Sequence, residues 1–228
     1  ANGLEPFLPA EAQERLAQRV CLPLDGLKVA CYYGCALLRP TEVCNFDDDE
    51  QPHTMEDLVA LSGASPIEWN FKNECCGASH QISVPKTGRT MIRRILENAA
   101  ANGADAIACA CPLCMLNLDM REAEINAARA KEGLPPLDIP IYYFTELLAA
   151  STGAPASKSG INRHFHPAGN LHERALAAWN KQRAAEKEAE EAAKFVKETQ
   201  RKARAATRAA KAKSGTKPET NATKEVIA

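Results

Sequence analysis

Short apolar runs alternate with amphipathic segments through the middle of the chain. Four apolar runs have the length and residue types of buried strands: Leu27–Tyr33, Pro66–Phe71, Asp105–Ala110 and Ile139–Phe144. Four other segments repeat apolar residues at helical spacing: Thr54–Leu61, which Thr54 is predicted to cap, Lys86–Ala101, Leu113–Lys131 and Thr145–Ala150. Because strands and helices alternate, the pattern predicts an α/β fold with a mostly parallel four-stranded sheet and flanking helices.

Composition divides the chain into four parts. Residues 1–26 are predicted to be a leader or linker that carries a short helix over Glu11–Val20. Residues 27–150 are the core domain, and residues 151–170, rich in Gly, Ser and Pro, are a second linker. Residues 171–228 are a tail rich in Ala, Lys and Glu, for which we expect a charged helix or a partly disordered segment.

The tail begins with a helical pattern of Leu171, Leu176 and Trp179 and then offers few apolar groups to bury. Between Lys194 and Lys213 it carries 8 basic residues against Glu198. An arm that docks on a partner or on a polyanion therefore remains an alternative to a solvated helix.

Charge and hydropathy exclude several classes of protein. With 28 basic and 29 acidic residues among 228, the chain is not a basic nucleic-acid binder. Its longest uncharged, mostly apolar run, Ala106–Leu118, is shorter than the roughly 20 residues of a membrane span and contains Pro112. No secretory signal pattern opens the sequence, so we expect a cytoplasmic protein without a membrane span.

Nine cysteines are unexpected in such a protein, because a reducing compartment does not favour structural disulfides. Five of them follow the first three predicted strands: Cys35, Cys75, Cys76, Cys111 and Cys114. Since sites in parallel sheets lie beyond the carboxyl ends of the strands, these five thiols should converge at one edge.

The surroundings of these cysteines favour metal ligation. Pro112 at the first helical position places Cys111 and Cys114 near a helix N-terminus, where thiolates are stabilised. Cys75 and Cys76 are adjacent and do not readily bond each other, but they can ligate different irons of one cluster. A single tetrahedral zinc takes four ligands and would leave one thiolate over. An iron–sulfur cluster is favoured, with structural zinc and metal-free redox thiols as alternatives.

Other polar residues near these loops have two interpretations each. His80, four residues after Cys76, is a candidate catalytic residue that protonates a leaving thiolate, or else an ordinary loop histidine. Arg39 and Lys72 are candidates to offset the charge of a thiolate cluster, or else surface cations. The acidic run over residues 47–50 is expected to be a solvated loop or the rim of a partner interface.

The remaining cysteines and one histidine pair are assigned no ligand role. Cys31 and Cys109 lie in predicted strands and are expected to be buried apolar residues, whereas Cys21 and Cys44 are expected to be free thiols in loops. His164 and His166 form an HxH pair without a third ligand nearby in sequence.

Three motifs resemble the CCG domain found in the B subunit of heterodisulfide reductase: Tyr32–Cys35, Glu74–Ser79 and Cys111–Asp119. The resemblance covers roughly residues 24–150 and is to the second of the two tandem CCG domains that family members usually carry. We expect the first to be absent from this chain. The 34 residues before the final CxxC are about one fewer than the family pattern.

The resemblance implies a noncubane [4Fe-4S] cluster bound by Cys35, Cys75, Cys76, Cys111 and Cys114, at which a substrate sulfur binds. It implies an oxidoreductase acting on sulfur groups, as one subunit of a CoB-CoM heterodisulfide reductase-like complex that reduces a disulfide or handles thiol or persulfide sulfur. Two partners are implied: an iron-sulfur electron-transfer subunit resembling the C subunit of heterodisulfide reductase, and a flavin-containing protein resembling its A subunit. A second CCG-domain subunit is a further candidate.

Two other functions remain open on the sequence. One is an electron-relay or docking subunit without a substrate site of its own, as in a sulfur-oxidising complex. The other is a structural module stabilised by zinc.

Overall fold

The computed structural model describes residues 4–45, 47–166, 173, 180, 184 and 187–203. Its contacts divide the chain into two units, Ala1–Asn180 and Lys181–Ala228. In the second unit, residues 187–203 are an exposed helix, so the predicted charged helix is present there. The pattern of Leu171, Leu176 and Trp179 lies outside the described residues.

The first unit is built on a parallel sheet of four strands in the order β2-β1-β3-β4. All three strand pairings are parallel, which confirms the predicted α/β fold. The strands are β1 (Lys28–Tyr32), β2 (Ser65–Pro66), β3 (Ala106–Cys109) and β4 (Ile141–Tyr143).

Nine α-helices are described in this unit. They are α1 (Ala10–Ala17), α2 (Cys35–Leu38), α3 (Thr41–Cys44), α4 (Thr54–Leu61), α5 (His80–Ser83), α6 (Pro85–Ala101), α7 (Pro112–Lys131), α8 (Phe144–Ser151) and α9 (Ala156–Ser159). Two short 3-10 helices cover Glu5–Phe7 and Ile161–Arg163.

The sheet is covered on both faces. Val29 and Cys31 of β1 face a core formed with α4 and α8, while Ala30 and Tyr32 face a second core formed with α6 and α7. The strands are therefore apolar on both sides, which is why they appear in the sequence as continuous apolar runs.

The first of these cores extends beyond residues 27–150. Leu4, Leu22 and Leu24 of the predicted leader are buried in it, as is Ile161 of the predicted linker. Both flanking segments therefore pack on the sheet domain.

The second strand is shorter than predicted. Only Ser65 and Pro66 pair with β1, although an apolar run to Phe71 favoured a longer strand. The Trp69 indole N–H donates to the Cys31 carbonyl at 3.0 Å, so a side chain takes an acceptor that a longer strand would use. The chain then turns, and eight residues without strand structure separate Pro66 from Cys75.

The acidic run is built into the fold, contrary to a purely solvated loop. Asp47 accepts hydrogen bonds from the backbone N–H groups of His53 and Thr54, at 3.0 and 2.8 Å. Asp47 thus caps α4, whereas Thr54, the predicted cap, is the first helical residue. Asp49 accepts from the Thr41 hydroxyl at 2.7 Å.

Residues 164–166 are held to two helices, α7 and α8, by polar contacts. Asp119 of α7 accepts the backbone N–H groups of Phe165 and His166, at 2.8 and 3.0 Å. His164 Nε2 lies 2.9 Å from Glu146 Oε1 of α8, and the His164 side chain is 2% exposed. The part of the linker that holds the HxH pair is therefore fixed to the domain.

Burial opposes charging of His164, but the hydrogen bond to Glu146 and the charges of Glu146 and Asp119 outweigh it and raise the pKa of His164 above its usual 6.5. A raised histidine pKa stabilises the folded state below the unfolded pKa, and this contribution is lost as pH rises through the folded pKa.

His164→Gln should therefore lower the free energy of unfolding by about 1.5–3 kcal/mol at pH 5.5, because it removes a hydrogen bond to a charged group, and by less at pH 9. Urea denaturation at both pH values measures this difference. His53→Gln, at an exposed histidine paired with Asp47, is the matched control and should have little effect at either pH. If His164→Gln lowered the free energy of unfolding equally at both pH values, the result would contradict an ion pair between His164 and Glu146.

Candidate metal centre

Three strand-to-helix connections bring the five predicted cysteines together. The Cys114 sulfur adjoins the sulfurs of Cys76 and Cys111, and the Cys35 sulfur adjoins that of Cys75. The two groups adjoin, because the charge of Cys76 acts on Cys35 and a Cβ added to Gly34 would lie 2.8 Å from the Cys114 sulfur. The structure thus places all five sulfurs at the carboxyl end of the sheet, as predicted from the loop positions.

Cys111 is the N-cap of α7. A hydrogen bond from the Cys114 thiol, aided by the N–H groups of Leu113 and Cys114 and opposed by burial, lowers the pKa of Cys111 to about 6. Pro112, the first residue of α7, has no N–H group, so the first N–H groups that the helix offers to the Cys111 sulfur are those of Leu113 and Cys114. The helix N-terminus thus favours the thiolate form that binds metals.

Cys76 is a second stabilised thiolate, and it is 3% exposed. The Cys114 thiol donates to it, and the Ala78 N–H and the Asn117 amide add two further hydrogen bonds; together they outweigh burial and lower the pKa of Cys76 to about 6. Cys111 and Cys76, which share the single S–H proton of Cys114, together with burial raise the pKa of Cys114.

The five sulfurs differ in access to solvent. Cys76 and Cys114 are buried, whereas Cys35, Cys75 and Cys111 are half-buried. Burial and the neighbouring Cys75 raise the pKa of Cys35. The Gly77 N–H donates to the Cys75 sulfur at 3.4 Å. The open side of the group is therefore formed by one cysteine from each connection.

Two tyrosines hold the backbone just before the cysteines. Tyr32 at the end of β1 donates to the Glu74 carbonyl at 2.6 Å, and Tyr143 at the end of β4 donates to the Ala110 carbonyl at 2.8 Å. Burial and the charges of nearby thiolates raise the pKa of both phenols, which keeps them as donors. Tyr143 was missed by sequence reasoning, because the fourth strand carries no cysteine.

Lys72 joins the first two cysteine loops through its backbone. Its carbonyl accepts the N–H groups of Tyr33 and Gly34, at 2.8 and 3.1 Å. Its ammonium lies 2.7 Å from the Glu56 carboxylate, which also accepts from the Tyr33 hydroxyl. The Lys72 ammonium thus forms its ion pair with the buried Glu56 carboxylate and not with a thiolate.

Arg39 and His80 have no described contact with the cysteines. The Arg39 guanidinium lies 3.4 Å from the Asp49 carbonyl. His80 begins α5, and among the described residues its ring has no hydrogen-bond or ion-pair partner. The catalytic role of His80 stays a prediction.

The other cysteines and the HxH pair lie apart from the centre. Cys31 and Cys109 are fully buried, as predicted, and Cys21 is exposed. Cys44 ends α3 with its sulfur 3.8 Å from the Ala36 carbonyl. His166 contacts Glu122 and Asp138. Across the described ranges, no three His, Cys, Asp or Glu side chains are arranged to hold a single metal ion.

The family model of the cysteine-rich CCG domain matches residues 29–119, a span that contains all five cysteines of the centre. This part of the chain is therefore similar to a CCG cysteine-rich domain. The resemblance to the family of heterodisulfide reductase B subunits that the motifs indicated is confirmed.

Curated relatives share sequence with this chain over about two thirds of its length. The B subunit of ferredoxin:CoB-CoM heterodisulfide reductase from Methanosarcina mazei is 30% identical over 153 residues, which are 66% of this chain and 49% of that protein. An Archaeoglobus profundus protein, named for its likeness to the heterodisulfide reductase B subunit, is 28% identical over 65% of this chain and 50% of its own length.

A third relative has a different name. The 8-methylmenaquinol:fumarate reductase membrane anchor subunit of Wolinella succinogenes is 29% identical over 163 residues, 71% of this chain and 56% of that protein. The chain thus spans about half the length of the curated relatives it matches. Among its described helices, none combines the length and apolar composition of a membrane span.

Gly77, which follows Cys76, fits tightly against α6. Its φ is +72°, and an added Cβ would lie 3.0 Å from Met91 Sδ and 3.1 Å from the Gly88 Cα. Gly103 has a similar φ of +77°, with nothing within 4 Å of an added Cβ. Substitutions at these two positions therefore distinguish the cost of backbone strain, which both share, from the cost of overpacking, which only Gly77 has.

Gly103→Ala should lower the free energy of unfolding by about 1–2 kcal/mol through left-handed strain alone. Gly77→Ala should cost about 1–3 kcal/mol more, because the methyl group also overpacks the loop against α6. Urea denaturation of both variants measures the difference. If both variants lost the same free energy of unfolding, the result would contradict overpacking of the Gly77 loop against α6.

Proposed function

We propose that this chain is an iron–sulfur redox subunit of a heterodisulfide-reductase-like complex and that Cys35, Cys75, Cys76, Cys111 and Cys114 ligate its noncubane [4Fe-4S] cluster. When bound, the cluster would supply the redox chemistry for reducing a disulfide or handling thiol or persulfide sulfur, so we propose that the chain takes part in an oxidoreductase acting on sulfur groups. The observation that carries the proposal is the convergence of five thiols from three connections, two of them already favoured as thiolates.

The residues present fit such a cluster. Every donor at the centre is sulfur, the ligand type that iron–sulfur clusters use. Backbone N–H groups of Leu113 and Cys114 lower the pKa of Cys111, that of Ala78 lowers the pKa of Cys76, and these groups offset the negative charge of several thiolates in one place. When bound, the cluster would supply one-electron exchange and an iron at which a substrate sulfur binds.

The residues of this chain would bind the cluster, shield one side of it from water and leave its other side accessible. Cys76 and Cys114 lie under the surface, which restricts water on the inner side, while the half-buried Cys35, Cys75 and Cys111 leave the outer side accessible to a sulfur compound. His80, half-buried beyond Gly77, is proposed to protonate the leaving thiolate.

Replacing one ligand at a time tests the assignment. Cys111→Ser and Cys76→Ser should each lower the iron content of anaerobically purified protein by at least about half, because hydroxyl is a poor substitute for thiolate in such clusters. Cys44→Ser, at a half-buried cysteine outside the centre, is the matched control and should retain the wild-type iron content. Iron lost equally from the control would contradict the ligand set.

A second candidate is an electron-relay or docking subunit without a substrate site, as in a sulfur-oxidising complex. The relative from Wolinella succinogenes favours it, since its name describes an anchor subunit of a fumarate reductase and mentions no sulfur compound. An open iron at the centre should respond to added thiol, so a thiol titration monitored by EPR distinguishes the two. A changed signal supports sulfur chemistry, and an unchanged signal supports relay.

The name of one relative, the B subunit of a heterodisulfide reductase, implies partner subunits. We propose the identities of the partners from the resemblance of the three motifs. These are an iron–sulfur electron-transfer subunit resembling the C subunit of heterodisulfide reductase, a flavin-containing protein resembling its A subunit, and a second CCG-domain protein. We propose a cytoplasmic location for the complex, in keeping with the free thiols of the described chain.

A further inference from the structure

The outward face of α7 is apolar over most of its length. A helix on the surface of a domain normally turns its charged residues to solvent and its apolar residues to the core. In α7, however, the side chains of Leu113, Leu116 and Met120 are 67%, 43% and 39% exposed. Three exposed alanines continue this face at helical spacing, and the whole set, here called the outer stripe, is Leu113, Leu116, Met120, Ala123, Ala127 and Ala130.

The opposite face of α7 carries buried polar residues. Four of these side chains hydrogen-bond to other segments of the domain: Asn117, Asp119, Glu122 and Arg129. Because buried polar groups cost free energy unless their hydrogen bonds are made, these bonds fix the rotation of the helix about its own axis. The outer stripe is therefore held on the outside by the packing of the domain.

Side-chain size divides the outer stripe into two halves. The N-terminal half holds the long side chains and the C-terminal half holds the alanines, at matching distances from the middle of the helix. A second α7, antiparallel to the first about a twofold axis at this middle, places each long side chain opposite an alanine. The opposed pairs are Leu113 with Ala130, Leu116 with Ala127 and Met120 with Ala123.

This arrangement makes the outer stripe complementary to itself. A twofold dimer brings the same surface of both copies together, so that surface has to fit its own shape and charge. Large residues facing small ones allow two helices to interdigitate, whereas a parallel copy would set long side chains against each other. The face therefore fits a second copy of this chain.

The charges of α7 also favour a second copy. The outer stripe is uncharged, and Glu124 at its edge lies 2.6 Å from Arg89 of α6, so its charge is compensated within its own copy. Lys131 in the last turn is exposed, and none of the described carboxylates pairs with it. In the antiparallel arrangement Lys131 lies opposite Pro112 of the other copy, next to Cys111.

We propose that the outer stripe is the interface of an antiparallel homodimer, in which each copy also places Lys131 beside the cysteine centre of the other. A cation from the second copy suits this centre, because Lys72, the lysine predicted there, is paired with Glu56. The proposal goes beyond the proposed function, since the interface does not require a bound cluster.

The size of the interface sets the expected strength. A helix of 20 residues is about 30 Å long, so one helix face from each copy buries less than the roughly 1,200 Å² of a stable interface. We therefore expect a monomer–dimer equilibrium with a dissociation constant in the micromolar range.

Sedimentation velocity of the full chain, purified without oxygen and kept reduced, tests the dimer over about 5–500 µM. The wild type should change from monomer to dimer within this range. Ala127→Glu places a carboxylate against Leu116 of the other copy and should weaken dimerisation at least about tenfold. Ala128→Glu is the matched control, because Ala128 is also exposed but lies about 100° around the helix from Ala127. It should dimerise as the wild type does.

A mixture of two variants tests the antiparallel register. Leu116→Lys alone should weaken dimerisation as Ala127→Glu does. An equimolar mixture of the two variants should restore the dimer, because the introduced ammonium lies opposite the introduced carboxylate. If the mixture stayed monomeric at concentrations where the wild type dimerises, the register would be wrong.

Two further results would overturn the interface itself. One is wild-type protein that remains monomeric over the whole concentration range, which would leave the outer stripe to a different protein. The other is an equal weakening by Ala127→Glu and Ala128→Glu. Iron analysis of the same samples separates the two proposals: a dimer without iron would contradict the cluster alone, and a monomer that binds iron would contradict the dimer alone.

Discussion

The structure depends on three cysteine-bearing connections meeting at one edge of a parallel sheet. Parallel pairing of β1 with β2 and with β3 brings the ends of these strands to the same side. Hydrogen bonds across the connections then fix them: the Lys72 carbonyl holds the first loop to the second, and Asn117 holds the second to α7. These bonds link the three connections that carry five thiols from distant parts of the chain.

The sulfurs are also distributed by electrostatics and burial. Cys114 lies between two sulfurs, Cys76 and Cys111, whose pKa values fall to about 6, so a protonated thiol is placed between two groups that favour the thiolate form. Helix N-terminal and loop N–H groups provide the positive potential that such a group of negative charges needs. The half-buried cysteines define the open side, and this asymmetry supports a centre that holds a cluster inside and receives a sulfur compound outside.

Sequence reasoning predicted what depends on local patterns. The periods of apolar residues predicted the parallel sheet and helices such as α7, and the positions of cysteines after strands predicted their convergence. It failed where side chains act over long sequence distances. Trp69 shortens β2 by bonding a strand carbonyl, and Asp47 caps α4 from a loop. Asn117 and Tyr143 hold cysteine loops, yet an asparagine in a helix and a tyrosine in a strand carry no local signal of that role.

The central claim is that the five thiols hold an iron–sulfur cluster. The most direct measurement is the iron, sulfide and zinc content of wild-type protein purified without oxygen. A [4Fe-4S] centre predicts about four irons per chain, a comparable amount of sulfide and no stoichiometric zinc. Stoichiometric zinc without iron would contradict the account and leave a structural module.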